Sequence, residues 1–136
     1  MDRVRRKIAA IFAADVAGYS RLVGKDEETA LATLKAHREI IDCFVSQHDG
    51  RIFGSAGDSV VAEFASPVEA LRCAIDIQLA IDKENTDLPE PNRMRFRIGI
   101  NLGDVVVDGD NLMGDGVNVA ARLEALAPAG GICVSE

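Results

Sequence analysis

Two aspartates, Asp15 and Asp58, each stand beside the end of an apolar run. Two carboxylates brought to one place suit Mg²⁺, a hard cation that takes one or two protein carboxylates together with phosphate oxygens of a substrate. Asp15 is the first polar side chain after residues 8–14, and Asp58 sits at a Gly57-Asp58 turn. Between them Val16, Ala17, Gly18, Tyr19 and Ser20 lead from the first run into a helical stretch through a glycine, a junction where backbone N–H groups can approach a phosphate. This junction lacks the lysine and spacing of a P-loop ATPase. Farther along, Asn118 and Arg122 lie four residues apart and so share one helix face. An amide beside a guanidinium supplies donors for charge that builds on a transferring phosphoryl group. Each feature also has an ordinary explanation. Gly-Asp is common turn chemistry, an Asp often caps a loop after a strand, and an arginine on a solvated helix pairs with any nearby acid. His37 and His48 share no metal-binding spacing with a cysteine and are expected at the surface or a helix edge, which leaves no Ser-His-Asp or Cys-His arrangement to argue.

The elements that must position these residues follow from hydrophobic periodicity. Residues 8–16 are apolar at nearly every position, the pattern of a strand covered on both faces. A helix is predicted over 26–49, with Ala30, Leu31, Leu34, Ile41, Phe44 and Val45 recurring at helical spacing, an acidic first turn, and Gly50 as its stop. Two short strands, 51–55 and 59–64, form a hairpin around Ala56-Gly57-Asp58. Ser66 and Pro67 open a second helix to about residue 85, with Val68, Leu71, Ile75 and Leu79 along one face. Strands follow over 95–101 and 104–107, punctuated by Gly103. The order β-α-β-β-α-β predicts an α+β fold with a ferredoxin-like core, two helices on one face of a mainly antiparallel sheet. A turn at 108–111, a helix over 115–127 with Val119, Ala120, Leu123 and Leu126 on one face, and a strand from residue 132 extend it.

At 136 residues the chain is one domain, able to bury a core without disulfides or a structural metal. Fifteen basic against 22 acidic residues leave a charge of −7, so no basic footprint for nucleic acid exists. The apolar runs fall far short of the roughly 20 residues of a membrane helix, and the apolar stretch after the basic residues 1–7 is short and runs straight into Asp15, unlike a signal peptide. Cys43, Cys73 and Cys133 are odd in number, widely spaced and set among apolar neighbours, as small core residues would be, which points to free thiols and a cytoplasmic location. Residues 132–136 read as a strand cut short, so residues 1–136 are expected to be a C-terminally truncated piece of a longer protein.

Phe12-Ala13-Ala14-Asp15-Val16-Ala17-Gly18-Tyr19-Ser20, the Gly57-Asp58 hairpin, Arg97-Ile98-Gly99-Ile100-Asn101-Leu102-Gly103 and the helix from Gly114 to Arg122 occur in the order seen in class III nucleotide cyclases. Over nearly its whole length the chain resembles the catalytic domain of bacterial adenylate and guanylate cyclases. The diguanylate cyclases, which share a similar core, carry a Gly-Gly-Asp/Glu-Glu-Phe hairpin that Ala56-Gly57-Asp58-Ser59-Val60 does not match. The resemblance implies that a ribose 3′-hydroxyl attacks its own α-phosphorus and releases pyrophosphate, with two Mg²⁺ or Mn²⁺ ions. It assigns Asp15, Asp58 and the carbonyl of Val16 to metal, Ala17 to Ser20 to phosphate, Asn118 to the ribose and Arg122 to charge at the α-phosphate. It also implies a head-to-tail homodimer whose sites are shared between protomers. The chain departs from the family at the two positions that read the purine. Adenylate cyclases carry Lys and Asp there and guanylate cyclases Glu and Cys, whereas this chain has Gly54 and Asn111, or Asp110 after a one-residue slip. An adenylate cyclase is the expectation; a degenerate module that binds nucleotide and regulates other domains is the alternative.

Overall fold

In the computed structural model, which describes residues 5–135, the chain runs β1 (Arg5–Val16), α1 (Tyr19–Lys25), α2 (Glu27–Gln47), β2 (Arg51–Ala56), β3 (Ser59–Phe64), α3 (Pro67–Asn85), a 3₁₀ turn (Glu90–Asn92), β4 (Phe96–Asp108), β5 (Asn111–Met113), α4 (Asp115–Leu126) and β6 (Ile132–Val134). Residues 1–4 of the basic N-terminal stretch, and Glu136, lie outside the described residues. The sheet order is β2-β3-β1-β4-β5, with β6 added parallel to β4. All other pairings are antiparallel, so the predicted α+β, ferredoxin-like frame is present.

Alternation along β1 places its residues in two cores. Ala10, Phe12, Ala14 and Val16 face α2 and α3, while Ala9, Ile11 and Ala13 face the side of Val105, Leu112 and Ala120. The helix over Asp115–Leu126, α4, thus does more than extend the sheet. Packed on the opposite face from α2 and α3, α4 makes the molecule three layers deep. This close approach depends on Gly99: a Cβ there would run into the backbone of Ala120 and Glu124. The expected break at Gly103 does not occur, because β1 pairs with β4 without interruption from Arg5 opposite Val107 to Val16 opposite Phe96.

The helix starts follow local chemistry. Asp26 accepts from the Thr29 amide and hydroxyl at 3.1 and 2.8 Å, and Ser66 accepts from the Glu69 amide ahead of Pro67. The left-handed residue that ends α2 is Asp49 (φ 59°) rather than Gly50; a Cβ on Gly50 would collide with the Phe64 ring. In α3 the expected inward face is turned outward. Val68, Leu71, Ile75 and Leu79 are exposed, and Ala70, Cys73, Ala74, Ile77 and Ile81 seat the helix. Both stripes have helical spacing, and the one with small residues fits closer to the sheet. In α4, similarly, Leu126 is exposed while Gly116, Ala120 and Glu124 are buried.

Two smaller expectations are also corrected. Cys43 is exposed on α2, whereas Cys73 is buried and Cys133 half-buried. His37 is buried, its ring edge-on to Phe96, and burial pushes its pKa down. His48, at the end of α2, bridges to α3 through Nδ1 to Glu69 at 2.8 Å and Nε2 to Asp76 at 2.9 Å. Those hydrogen bonds raise its pKa.

Two predictions follow from this packing. Gly99→Ala should destabilise the fold by about 1–3 kcal/mol, read as a lower urea midpoint, because rigid backbone and not a movable side chain occupies the space. A variant as stable as the parent would show that α4 is not seated on Gly99. His48 titrates from an unfolded value of about 6.5 to a higher folded one, so its contribution is complete below about pH 6.5 and is lost as pH rises through the folded pKa. Thermal midpoints should therefore fall across that interval in the parent chain and fall less in His48→Gln; identical slopes would exclude the bridge as the source.

Candidate active site

The β2–β3 hairpin turns through Gly57 at φ 57°, and that turn returns Asp58 toward the end of β1. There the Val16 amide donates to Asp58 Oδ2 at 3.0 Å, across 42 residues of sequence. Asp15 immediately precedes this bond. The two aspartates singled out in the sequence therefore come together at one end of the sheet, although β3 lies between β2 and β1.

Asp15 is not alone at the strand end. Directly opposite it in the ladder is Arg97, which donates through Nε to Oδ1 at 3.0 Å and through Nη2 to Oδ2 at 2.8 Å. The bond to Asp15 raises the pKa of the guanidinium. Its Nη1 donates to the Ala125 carbonyl on α4 at 3.3 Å, and its Nη2 lies 3.6 Å from Glu124 Oε2. Burial, followed by the charge of Asp15, pushes the Glu124 carboxyl up to about 7 against the opposing pull of Arg97. Three carboxyl groups and one guanidinium thus occupy the end of β1. Neither Arg97 nor Glu124 was singled out as a site residue in the sequence. Arg97 is one of three arginines that alternate through 93–97, and Glu124 is an ordinary polar position on a helix, so neither stood out in the sequence.

Asn118 and Arg122 share one face of α4, as their spacing requires, but it is the solvent face, opposite Gly116, Ala120 and Glu124. Among the described residues the ion-pair partner of Arg122 is Asp115, at 3.7 Å and largely exposed, a pairing of little energetic weight. Among the described residues, no hydrogen bond or ion pair joins Asn118 or Arg122 to Asp15 or Asp58. One chain brings the aspartates together and turns the amide and guanidinium outward.

The loop after β1 has Gly18 at φ 68° as the N-cap of α1, with no side chain capping it. The amides of Tyr19 and Ser20, in the first turn of that helix, have no intrahelical acceptor. Adjoining the loop is a hollow of about 590 Å³ whose lining carries Arg21, Lys25, Arg93 and Arg95 against one acid, Glu90, which pairs with Arg93 at 2.7 Å and Arg95 at 3.3 Å. Arg21 packs over Gly18, and sequence spacing gave no reason to select it.

Gly54 and Asn111, the positions expected to read the purine, lie on outer strands of the sheet path. Gly54 is opposite Val61, whose Cγ2 lies 2.8 Å from where a Cβ would stand, so the site has little room for a side chain. Asn111 opens β5 and its Oδ1 accepts from the Leu112 amide at 2.9 Å. Asp110, in the preceding turn, offers its carbonyl to Arg51.

The donor set at the end of β1 is entirely oxygen, as Mg²⁺ or Mn²⁺ requires, and its two aspartates are the number expected where substrate phosphates complete the coordination. Among the described residues no group of three or more His, Cys, Asp or Glu side chains is arranged to hold a metal, so at the end of β1 other oxygens would have to complete a shell begun by the two aspartates. No helix among them is long and apolar enough to cross a membrane.

Comparison with known proteins agrees with this geometry. The family described as the Adenylate and Guanylate cyclase catalytic domain matches residues 3–136. The chain is 47% identical over 136 residues to putative adenylate cyclase 3 of Rhizobium meliloti, covering 99% of this chain and 23% of that protein. It is 32% identical over 143 residues to adenylate cyclase 1 of the same organism, covering 90% of this chain and 21% of that one. The chain thus spans about a quarter or less of these two relatives. Among solved structures, an adenylate/guanylate cyclase/hydrolase from Silicibacter pomeroyi superposes with a TM-score of 0.91 at 45% identity, covering 98% of this chain and 78% of that one. The fold is also that of the adenylyl cyclase CyaB from P. aeruginosa, with a TM-score of 0.84 at 23% identity over 99% of this chain and 80% of that one. With its aspartates paired at the end of the central strand and the family match running from residue 3 to residue 136, the chain belongs to the adenylate and guanylate cyclase catalytic domain family.

Proposed function

We propose that this chain is a catalytic domain that converts a nucleoside triphosphate, ATP in the first instance, into a 3′,5′-cyclic nucleotide and pyrophosphate for signalling in the cytoplasm. The observation that carries the reading is the Val16–Asp58 hydrogen bond, which fastens a second carboxylate beside Asp15. In the reaction the ribose 3′-oxygen bonds to the α-phosphorus, the bond from that phosphorus to the β-phosphate bridge oxygen breaks, and the hydroxyl proton passes to solvent. Two Mg²⁺ or Mn²⁺ ions would supply Lewis acidity at the hydroxyl and the leaving phosphates. Asp15, Asp58 and the Val16 carbonyl would hold them. Of the loop expected to bind phosphate, Ala17 gives its amide to the Arg95 carbonyl at 2.9 Å, so the amides of Gly18, Tyr19 and Ser20 are the ones that would meet phosphate oxygens, with Arg21 and Lys25 beside the loop. Asn118 orients the ribose and Arg122 meets charge as it builds at the α-phosphate.

The outward face of α4 supports the shared-site arrangement, in which the aspartates of one protomer work with Asn118 and Arg122 of its partner in a head-to-tail homodimer. ATP is favoured because both relatives named above are adenylate cyclases by name. A second reading, a degenerate module that binds nucleotide without turnover, has one specific observation behind it. Gly54 offers the purine no side chain, and the Asn111 oxygen is engaged by its own backbone.

The deciding experiment measures cyclic nucleotide production from ATP and from GTP with Mn²⁺, beside Asp58→Ala. Product from ATP that falls to background in the variant supports a cyclase; silence from a folded dimer with bound triphosphate supports the degenerate module. Arg122→Ala should lower kcat by about 10²–10³-fold with a smaller effect on triphosphate affinity, because its contact strengthens in the transition state. Equal losses in both would reduce Arg122 to a phosphate clamp. Mixing Asp58→Ala with Arg122→Ala protomers should restore about a quarter of the parent activity, since half of the dimers are mixed and each has one intact site. No recovery would exclude shared sites.

A further inference from the structure

In a chain of net charge −7, four cations share one hollow. The cavity of about 590 Å³ beside the loop after β1 is lined by Arg21, Lys25, Arg93 and Arg95, with Glu90 as its single acid. Four positive charges against one negative leave three without an opposite in the lining. Glu90 holds two of the guanidiniums in place: Arg93 Nη1 donates to it at 2.7 Å and Arg95 Nη1 lies 3.3 Å away, while Arg93 Nε donates to the Leu88 carbonyl at 3.1 Å. Arg21 and Lys25 differ from that pair. Among the described residues neither side chain has an ion-pair or hydrogen-bond partner, and Asp26, next to Lys25 in sequence, is turned to the amide and hydroxyl of Thr29.

Like charges gathered in a concavity repel one another and focus their field on an anion that enters. A carboxylate would bring a single charge. A phosphoryl group brings about −1.5 to −2 near pH 7, so two joined phosphoryl groups match a surplus of three more closely. Guanidinium forks meet phosphate oxygens in pairs, and a lysine adds charge without a fixed geometry. The cavity falls within the range of small-molecule sites, about 300–1,000 Å³. The acidic remainder of the chain repels a long polyanion and keeps the attraction local. Asp15 and Asp58 do not line the hollow, whereas Ala17 and Gly18 do, and Arg21 packs over Gly18. The hollow is therefore distinct from the paired aspartates and meets their end of the sheet at the loop.

We infer that this hollow binds a condensed phosphate, with Arg21 and Lys25 as the cations that engage it and Arg93 and Arg95 as a frame held by Glu90. Two sources supply that chemistry: the terminal phosphates of a nucleoside triphosphate at the neighbouring site, released as pyrophosphate, and a free polyphosphate acting as an effector. The first source rests on the reaction proposed above; the inference itself rests on the lining.

Isothermal titration calorimetry with inorganic pyrophosphate tests it, with a chelator present so that no divalent cation links the ligand to Asp15 and Asp58. The parent chain should bind pyrophosphate at least about 10-fold more tightly than inorganic monophosphate, and Arg21→Gln and Lys25→Gln should each weaken it about 10-fold, the scale of one hydrogen bond to a charged group. The double variant should lose more than either. Arg5→Gln/Arg6→Gln removes two charges elsewhere, on β1, and should change the affinity by less than about 2-fold, because distant exposed charges are screened. Arg21 and Lys25 are exposed, so their variants should keep the fold, which thermal midpoints verify. Saturating 3′-deoxy-ATP separates the sources. Exclusion of pyrophosphate assigns the hollow to the terminal phosphates of the substrate, and undiminished binding assigns it to a separate effector. No binding by the parent, an unchanged affinity in the double variant, or an equal loss in the Arg5/Arg6 pair overturns the inference and leaves the cyclase reading standing. A chain that makes no cyclic nucleotide but binds pyrophosphate through Arg21 and Lys25 overturns the cyclase reading alone.

Discussion

The unbroken pairing of β1 with β4 is the constraint from which the rest of the structure follows. All twelve residues of β1 have a partner in β4, from Arg5 opposite Val107 to Val16 opposite Phe96. A one-residue slip in that register would exchange the two faces of the strand, moving Phe12 into the core that holds Ile11 and setting Asp15 opposite a different residue. Both cores and the Asp15–Arg97 pair therefore depend on one ladder. The apolar run of β1 makes the slip costly on both sides at once.

Much of this was legible because it is written in local chemistry. The acidic start of α2, Ser66-Pro67 before α3 and Gly57 in the hairpin each act within a few residues of themselves, and the structure contains all three elements. What the sequence could not show was which of two apolar stripes a helix turns inward. In α3, Val68, Leu71, Ile75 and Leu79 form a larger apolar surface than Ala70, Cys73 and Ala74, yet the small residues, together with Ile77 and Ile81, are the buried ones. Distance of closest approach to the sheet decides that choice, and it is a property of the sheet. The burial of His37 has the same origin, since the Phe96 ring beside it comes from β4.

The candidate site divides along a similar line. Asp15 and Asp58 could be named in advance because a carboxylate at the end of an apolar run or at a Gly-Asp turn is visible without tertiary structure. Arg97 and Glu124 join them only after β4 and α4 have packed, and Glu124 acquires its raised pKa only through that burial and the nearby charge of Asp15. In isolation, neither residue differs from a solvated polar position.

The use of α4 bears on the proposed sharing of the site between protomers. One face of that helix, Gly116, Ala120 and Glu124, is taken up by packing against the sheet, and Gly99 sets how close it sits. Asn118 and Arg122 lie on the other face, out of bonding contact with the aspartates of their own chain. Rotating the helix to bring them inward would expose Ala120 and bring two polar side chains against a sheet face lined by Ala9, Ile11 and Ala13. The packing that stabilises the domain thus holds Asn118 and Arg122 away from the aspartates of their own chain, and in the proposed reading a second copy that presents its outward α4 face supplies the amide and guanidinium.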